Sequence, residues 1–401
     1  MSNKFKNVNI TDYYRVLASR NGAQELAAIR TFKKRDEMPA NWLAKELHPT
    51  HQYFVIEKVR DLGEGVKCYT FVPDPDSTTD HVAYFQAGQY LSVNLNIDGN
   101  YMTRAYSISS SPKMALEGKI ELTIKLVPDG LVSNWVQENW KVGDKVDTSG
   151  PLGEFAYEPI RDAETVIGIA GGSGITPFLS MARAIADGDE DFNLVLLYGS
   201  QKADSIVYKA ELDELEKATD KFKVVHVLSN DDSEGYEHGF ITADLIKKYA
   251  PEGEFSVFMC GPQAMYNFVN AELPKLGLRR KFIRNELFGE LHGPKAMEEY
   301  PKNKTVPDTV TIKVLQNGEE TTVTGSTDDS VLVILEKSGV KAPSHCRSGE
   351  CGWCHSRLIS GDVFCPSSID GRRKADKKFG YIHPCATFPL SDLVIEVPLM
   401  D

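Results

Sequence analysis

Residues 345–354 read His-Cys-Arg-Ser-Gly-Glu-Cys-Gly-Trp-Cys, and another cysteine, Cys385, follows after thirty intervening residues. This C-x4-C-x2-C pattern with a distant fourth cysteine is the spacing of a plant-type [2Fe–2S] cluster, in which four thiolates hold two irons. Gly349 and Gly352 allow tight turns that aim backbone N–H groups at the sulfurs. The pattern predicts a one-electron carrier whose metal ligands are Cys346, Cys351, Cys354 and Cys385.

Three other uses of these cysteines fit less well. A zinc ribbon needs a second C-x2-C pair or an H-x3–5-H pair, and the sequence has neither. A Rieske centre replaces two cysteines by histidines, yet Cys354-His355 is the only Cys-His dipeptide. Disulfides are not expected, because Met1 to Tyr14 are polar and lack the apolar core of a signal peptide. We therefore expect a protein of the reducing cytoplasm.

Composition describes an ordinary globular protein and limits its partners. The chain has 401 residues, 41% of them hydrophobic and 25% charged, which predicts two to four domains. A net charge of −12 argues against nucleic acid and anionic membranes as partners. The most apolar run, near Thr165–Leu179, is interrupted by four glycines and Pro177, so we expect no membrane span.

The pattern of predicted secondary structure changes several times along the chain. Helical spacing at Asp12–Thr31 and Ala40–Leu47 predicts a helical N-terminal extension over residues 1–50. Short alternating strands with Gly, Pro and Asp turns, one of them at Tyr106–Ser109, predict an antiparallel β-barrel over residues 51–158. Strands alternating with helices, one of them at Val207–Ala218, predict a parallel-sheet α/β domain over residues 159–290. A linker at 291–308 then leads to a compact α+β unit at 309–401.

Two blocks in the barrel suit a flavin. In Arg104-Ala-Tyr106-Ser107, the Arg can neutralise a diphosphate, the Tyr ring can pack on the isoalloxazine and the Ser hydroxyl can reach flavin N5. Gly130 and Ser133 open a helix whose backbone N–H groups suit phosphate binding. The plainer interpretations are a core Tyr with a surface Arg, and an ordinary capped helix.

Two blocks in the α/β domain suit a nicotinamide nucleotide. Gly171-Gly172-Ser173-Gly174-Ile175-Thr176-Pro177 joins a strand to a helix, although Pro177 stands where the usual dinucleotide fingerprint has its third Gly. Met259-Cys260-Gly261-Pro262 ends a later strand, which is where open α/β sheets bind ligands. The Cys could instead be a small buried filler. Glu286 and Phe288 close the domain and could reach back towards a flavin.

In this order the blocks resemble the ferredoxin–NADP reductase superfamily. With a plant-type ferredoxin domain at the C-terminus, the chain is similar to the group that contains phthalate dioxygenase reductase, hybrid-cluster-protein reductase and phenylacetyl-CoA epoxygenase reductase. The resemblance covers about residues 51–401 and leaves out the N-terminal fifty. It implies a flavin barrel, a nucleotide-binding α/β domain and a β-grasp ferredoxin domain.

The resemblance also implies a role for each motif residue. Ser107, Cys260 and Glu286 would act at the reacting atoms, with Cys260 touching the nicotinamide ring. The flavin and the nucleotide would be held by Arg104, Tyr106, Ser107, Gly130, Val132, Ser133, Gly172, Gly174, Thr176, Cys260, Gly261, Pro262 and Phe288. Cys346, Cys351, Cys354 and Cys385 would ligate the cluster, and Cys365 would be structural.

The same resemblance favours FAD over FMN, because an Arg-x-Tyr-Ser block is followed by Gly-x-x-Ser. NADH is favoured over NADPH, because Asp231 and Asp232 follow the third strand of the α/β domain and would repel a 2′-phosphate. The expected activity is transfer of electrons from NADH, through flavin and cluster, to a separate acceptor protein such as an oxygenase or a hybrid-cluster protein. The alternatives are a flavin, quinone or small-molecule reductase, and an input subunit of a larger complex docked through residues 1–50.

The acceptor is expected to meet the cysteine loop itself. Arg347, Ser348, Glu350 and Trp353 lie between the cluster ligands, so we expect them to form the face that an acceptor contacts. Trp353 could equally shield the cluster from water. The sequence leaves the oligomeric state open.

Overall fold

The computed structural model describes residues 39–287 and 289–400. The chain divides into two compact units, residues 1–49 and residues 50–401. In the first unit, helix α1 spans Pro39–Leu47, which confirms the helix predicted at Ala40–Leu47. The helix predicted at Asp12–Thr31 lies outside the described residues.

A six-stranded antiparallel sheet opens the second unit. Its spatial order is β4-β3-β6-β1-β2-β5, and an isolated bridge between Ile108 and Leu122 draws the two edge strands together. Two helices, α2 and α3, flank β5. The elements are β1 Gln52–Asp61, β2 Val66–Pro73, β3 Tyr90–Ile97, β4 Asn100–Ser107, α2 Pro112–Leu116, β5 Ile120–Lys125, α3 Leu131–Asn139 and β6 Lys145–Thr148.

Strand β4 is longer than the sequence pattern predicted. The prediction placed this strand at Tyr106–Ser109, whereas it begins at Asn100 and pairs with β3 along its whole length. The hairpin turn is Asp98-Gly99, and both residues have positive φ (51° and 83°). Asp-Gly is a strong two-residue hairpin signal, which the predicted strand bounds left out. As a result Arg104, Tyr106 and Ser107 all lie within one paired strand.

A six-stranded parallel sheet follows, with order β10-β9-β8-β7-β11-β12. Helix α5 begins at Lys209 rather than at the predicted Val207, because Tyr208 adopts a left-handed backbone conformation (φ 63°). The elements are β7 Thr165–Gly171, α4 Thr176–Asp187, β8 Asn193–Ser200, α5 Lys209–Ala218, β9 Phe222–Leu228, β10 Glu237–His238, α6 Ala243–Tyr249, β11 Ser256–Cys260, α7 Gln263–Glu272 and β12 Ile283–Glu286.

The last part of the chain is an α+β unit around a five-stranded mixed sheet of order β14-β13-β19-β15-β17, with a separate β16-β18 pair. The segment predicted as a linker packs on its core, where the Tyr300 and Phe364 rings meet edge to face at 5.2 Å. The elements are β13 Thr309–Gln316, β14 Glu319–Ser326, α8 Val331–Lys337, β15 Ser356–Ser360, β16 Val363–Phe364, α9 Lys374–Lys378, β17 Tyr381–Ile382, β18 Phe388–Pro389 and β19 Leu393–Glu396.

The predicted fold class is therefore confirmed: an antiparallel barrel, a parallel-sheet α/β part and a C-terminal α+β part. None of the described helices is long and apolar enough to cross a membrane.

Candidate redox site

The four cysteines of the motif lie close together, with Cys346, Cys354 and Cys385 buried and Cys351 exposed. Cys354 Sγ and Cys385 Sγ are 3.4 Å apart. Cys346 Sγ accepts hydrogen bonds from the backbone N–H groups of Ser348 and Cys351, each at 3.4 Å. Cys351 Sγ accepts one from Trp353 N–H at 3.5 Å. All seven cysteines of the chain are free, so the thiols of this loop are available as ligands.

This donor set fits a binuclear cluster better than a single ion. Across residues 39–287 and 289–400, no three His, Cys, Asp or Glu side chains surround one point as a mononuclear metal site requires. The four thiols instead adjoin one another: Cys346 contacts both Cys351 and Cys385, and Cys354 contacts Cys385. A [2Fe–2S] cluster needs four thiolates shared between two irons. Backbone N–H groups aimed at sulfur are the hydrogen bonds that tune such clusters.

Gly349 is required by the shape of the loop. Its φ is +83°, and a Cβ atom there would lie 2.1 Å from the carbonyl oxygen of Ile369. The carbonyl of Gly349 also accepts a 2.7 Å hydrogen bond from Nδ1 of the buried His383. The glycine therefore lets the segments before and after β17 close around the cysteines.

The loop presents only part of the face that the sequence predicted. Arg347 and Ser348 are buried, with 2% and 4% of their surface exposed, so the expectation that they contact an acceptor is wrong. The reason is the positive φ of Arg347 (59°), which turns its side chain inwards. Glu350 and Cys351 are exposed, and Trp353 is 46% exposed.

The flavin block lies on β4 with its side chains at three different depths. The Ser107 hydroxyl is buried and has no hydrogen-bond partner among the described residues. The half-buried Tyr106 ring packs against the barrel core. Arg104 donates to the Thr103 carbonyl at 2.7 Å and lies 3.2 Å from a Glu290 oxygen. An unpartnered hydroxyl beside an aromatic ring and a guanidinium fits a flavin, which supplies the missing acceptor.

Helix α3 leaves its first backbone N–H groups available. Gly130 caps it without any side-chain hydrogen bond. Ser133 Oγ accepts from Val127 N–H at 3.0 Å, so its own hydroxyl proton is still free to be donated. Val132 is buried under the same turn. This helix end has the geometry that binds phosphate through backbone N–H groups.

The glycine loop after β7 is fixed by contact with the end of β11. A Cβ atom on Gly174 would lie 2.1 Å from the Cys260 carbonyl oxygen, and one on Gly261 would lie 2.4 Å from Met265 Cε. The Gly172 carbonyl accepts from the Tyr198 hydroxyl at 3.1 Å. Thr176 is buried and donates to the Ser173 carbonyl at 3.0 Å. The glycine loop and the Cys260-Gly261-Pro262 segment thus lie together at the carboxyl ends of β7 and β11. Pro262 caps helix α7.

Cys260 and Glu286 are brought side by side. They are register partners in the neighbouring parallel strands β11 and β12. Burial holds the pKa of the Cys260 thiol well above its usual range. Burial, with the charges of Glu350 and Cys346, also raises the pKa of Glu286 well above its usual range. Burial therefore favours the protonated form of each group, and Glu286 Oε2 has no partner among the described residues.

The barrel and the cysteine loop meet at a hydrogen bond that the sequence did not reveal. Thr103 Oγ1, next to Arg104 on β4, lies 2.6 Å from Ser344 Oγ, two residues before Cys346. Glu290 and Glu336 complete this junction, because both contact Arg104 as well as Arg347. Residues 241 positions apart leave no local sequence signal, so the contact could not be anticipated. Phe288, the remaining predicted residue, lies outside the described residues.

Asp231 lies where a nucleotide-selecting residue is expected. Its carboxylate accepts from the backbone N–H groups of Ala203 and Ser233, both at 3.0 Å. The hydrogen bond from Ala203, then that from the Ser233 hydroxyl, lower the pKa of Asp231, so it is charged at neutral pH. The carboxylate therefore joins the loops at the carboxyl ends of β8 and β9.

Comparison with known proteins identifies all three parts. Residues 54–157 match the family model of the oxidoreductase FAD-binding domain, residues 169–271 that of the oxidoreductase NAD-binding domain, and residues 314–390 that of the 2Fe-2S iron-sulfur cluster binding domain. The chain binds FAD, NADH and a [2Fe–2S] cluster, as the sequence predicted.

Individual relatives agree with this assignment. The glycine betaine monooxygenase reductase subunit of Pseudomonas aeruginosa is 29% identical over 78% of this chain and 87% of the relative. NADH-cytochrome b5 reductase 1 of Candida glabrata is 31% identical over 62% of this chain and 88% of the relative. The fold resembles that of phthalate dioxygenase reductase, with a TM-score of 0.61 and 24% identity over 86% of this chain and 98% of that one.

Proposed function

Because the chain belongs to the ferredoxin–NADP reductase superfamily and carries a C-terminal [2Fe–2S] domain, we propose that it supplies electrons to a separate oxygenase component. It is an NADH-dependent oxidoreductase that passes electrons through FAD and the cluster. The related proteins include reductase subunits of monooxygenases. We propose both that the acceptor is an oxygenase and that individual residues of this chain bind the cofactors and align them.

One observation supports the proposed electron path from flavin to cluster: the strand with the flavin block is hydrogen-bonded to the segment that enters the cysteine loop. Thr103 and Ser344 make this bond at 2.6 Å in the buried interior. Arg104, the next residue of β4, lies 3.2 Å from Glu290, which also contacts Arg347. A flavin held by Arg104 would thus lie beside the cluster without any movement of the two parts.

The entry side of the path uses residues at the strand ends. The bound FAD would supply a hydride acceptor for NADH, and the cluster would supply a one-electron carrier. Ser107 would donate a hydrogen bond from its unpartnered hydroxyl to the flavin, and Cys260 and Glu286, whose protonated forms burial favours, would line the nicotinamide. Gly174 and Gly261 would keep the nucleotide backbone close to β7 and β11. The chain therefore contributes alignment and electrostatics.

The cysteine loop would be the exit side. Cys351 and Trp353 are exposed, whereas Cys354 and Cys385 are buried. An acceptor that approaches this side meets a cluster ligand directly. We place the reaction in the cytoplasm, because all seven cysteines are free, as expected in a reducing compartment.

Anaerobic stopped-flow on the holo-protein tests the proposal. After mixing with NADH, flavin absorbance should fall first and cluster absorbance should follow, with cytochrome c then reduced as a one-electron protein probe. A cluster that stays oxidised while the flavin is fully reduced would contradict the proposed path. So would cytochrome c reduction that continues unchanged after the cluster is removed.

A further inference from the structure

The surface beside the cluster carries a charge opposite to that of the whole chain. Residues 370–380 read Asp-Gly-Arg-Arg-Lys-Ala-Asp-Lys-Lys-Phe-Gly, with five basic and two acidic side chains, a net charge of +3 in a chain of −12. We call Arg373, Lys374, Lys377, Lys378 and Phe379 the basic patch. It covers helix α9 and its C-terminal end.

Both acids of this segment are turned towards the protein. Asp370 is held by Arg372 Nε at 2.7 Å and by Lys377 Nζ at 2.8 Å. Asp376 is buried, accepts from the backbone N–H of Arg373 at 2.8 Å and lies 3.3 Å from His355 Nε2. The outward charge is consequently almost all positive.

The basic side chains and an aromatic ring are exposed together. The Arg373 side chain is 85% exposed and that of Lys377 50%, and Lys374 and Lys378 are also exposed. Phe379 is 62% exposed, with Lys378 Nζ 5.5 Å from its ring centroid. A solvent-exposed Phe beside basic side chains is a common anchor of protein interfaces, where the aromatic ring is buried and the charges at the rim select the partner.

The patch is joined directly to the cluster loop. His355, next to Cys354, stacks on Tyr381 at 4.0 Å and contacts Asp376 of α9. Tyr381 begins strand β17, which pairs with β15 and leads through His383 and Pro384 to Cys385. A protein bound to the patch would therefore contact the elements that hold the Cys354–Cys385 pair.

We propose that the basic patch is the docking surface for the electron acceptor, and that this acceptor is a protein with an acidic surface around an apolar recess. The proposal rests on the proposed function, since it names where the exit partner binds. Local positive charge would attract an acidic protein that the chain's net charge would otherwise repel. A protein is favoured over an anionic membrane because the same net charge opposes approach to a wide anionic surface.

Charge reversal with a matched control tests the surface. The patch variant is Arg373→Glu, Lys374→Glu and Lys378→Glu. The control variant is Lys217→Glu, Lys247→Glu and Lys341→Glu, three exposed lysines elsewhere that change the net charge equally. The probes are cytochrome b5, which is acidic, and cytochrome c, which is basic, each reduced with NADH at low and high salt.

The patch variant should lower kcat/KM for cytochrome b5 by roughly tenfold at low salt and raise it for cytochrome c, with both effects shrinking at high salt. The control variant should change either value by less than about twofold. Phe379→Ser should weaken cytochrome b5 reduction at both salt concentrations, because the lost contact is apolar. Equal effects of the patch and control variants would overturn the proposal.

Three further measurements distinguish acceptor docking from a membrane contact and from a dimer interface. NADH-driven reduction of flavin and cluster without acceptor should be unchanged in both variants; failure of this step in the wild type would contradict the proposed function instead. Patch-dependent binding to phosphatidylserine vesicles, with patch-independent cytochrome b5 reduction, would make the surface a membrane contact and overturn the proposal. A patch-dependent dimer with unaffected cytochrome b5 reduction would overturn it in favour of a second copy of the chain.

Discussion

Arg347 follows the first cluster cysteine directly, yet its guanidinium is buried and bound to both carboxylate oxygens of Glu336, at 2.5 and 2.8 Å. Glu336 lies on α8, and Glu290 lies at the end of the α/β part. Arg104 of the barrel contacts both acids. Two cations and two anions thus form a neutral buried group, and it links the flavin strand to the cluster loop.

Neutralising Glu336 should destabilise this junction. Glu336→Gln keeps the shape of the side chain but leaves a buried net positive charge, which costs about 3–5 kcal/mol when one partner of a buried pair is lost. Urea unfolding followed by far-ultraviolet circular dichroism compares the stability of the variants through their midpoint urea concentrations. Glu319→Gln, an exposed glutamate of the same part of the chain, is the control. Equal losses in the two variants would show that the buried group contributes nothing to stability.

Gly174→Ala should impair nucleotide binding. The added Cβ would lie 2.1 Å from the Cys260 carbonyl oxygen, so the glycine loop must move away from β11. We expect NADH-driven flavin bleaching to slow by roughly tenfold or more, since small displacements of reacting groups are costly. Gly199→Ala is the matched control, because its Cβ would meet no atom closer than 3.5 Å. A control variant that slows as much as Gly174→Ala would rule out the steric cause.

Glu286 should make stability depend on pH. Its pKa is raised in the folded protein, first by burial, so the folded state holds a proton that the unfolded state loses above a pH of about 4.3. The free energy of unfolding should therefore fall as pH rises above about 4.3 and towards the pKa of Glu286 in the folded protein. Glu286→Gln should remove this part of the fall, so its melting temperature should rise relative to that of the wild type as pH increases above about 4.3. Glu138→Gln, at an exposed position, should track the wild type; a pH-independent difference for Glu286→Gln would contradict the assignment.

Asp231 should select NADH. Its charged carboxylate joins the loops after β8 and β9, and a 2′-phosphate placed there would be repelled by about 1 kcal/mol or more. NADH should bleach the flavin faster than NADPH. Asp231→Ser should lower the ratio of these two rates by about tenfold. The control is Asp220→Ser. Asp220 precedes β9 at the amino end of the strand, so this change should leave the ratio of the NADH and NADPH rates unchanged. Faster bleaching of the wild type by NADPH would overturn this interpretation.

Much of the structure could be predicted from the spacing of residues over short stretches of the sequence. The cysteine pattern, the glycine loops and the alternation of strands and helices are short-range signals, and each predicted an element that the fold contains. Cys260 was predicted at the end of a strand, whereas strand β12, which places Glu286 beside Cys260, was not predicted.

Long-range contacts were not predictable in this way. Arg347 was expected to face an acceptor, because nothing in its neighbours reveals that a left-handed backbone turns it towards Glu336. The Thr103–Ser344 bond joins residues 241 positions apart. Its partners are ordinary polar residues with no motif of their own. Such contacts depend on how separately folded parts pack, which no local pattern encodes.

The order of carriers is the central claim, and Cys351→Ser tests it most directly. The variant removes one thiolate of the Cys346–Cys351 pair, whereas the control Cys365→Ser changes a cysteine outside the motif. In anaerobic stopped-flow with NADH, Cys351→Ser should lose cluster absorbance and cytochrome c reduction but retain flavin bleaching at the wild-type rate. Cys365→Ser should retain all three. Loss of flavin bleaching in a folded Cys351→Ser protein, or cytochrome c reduction that persists without the cluster, would contradict this order.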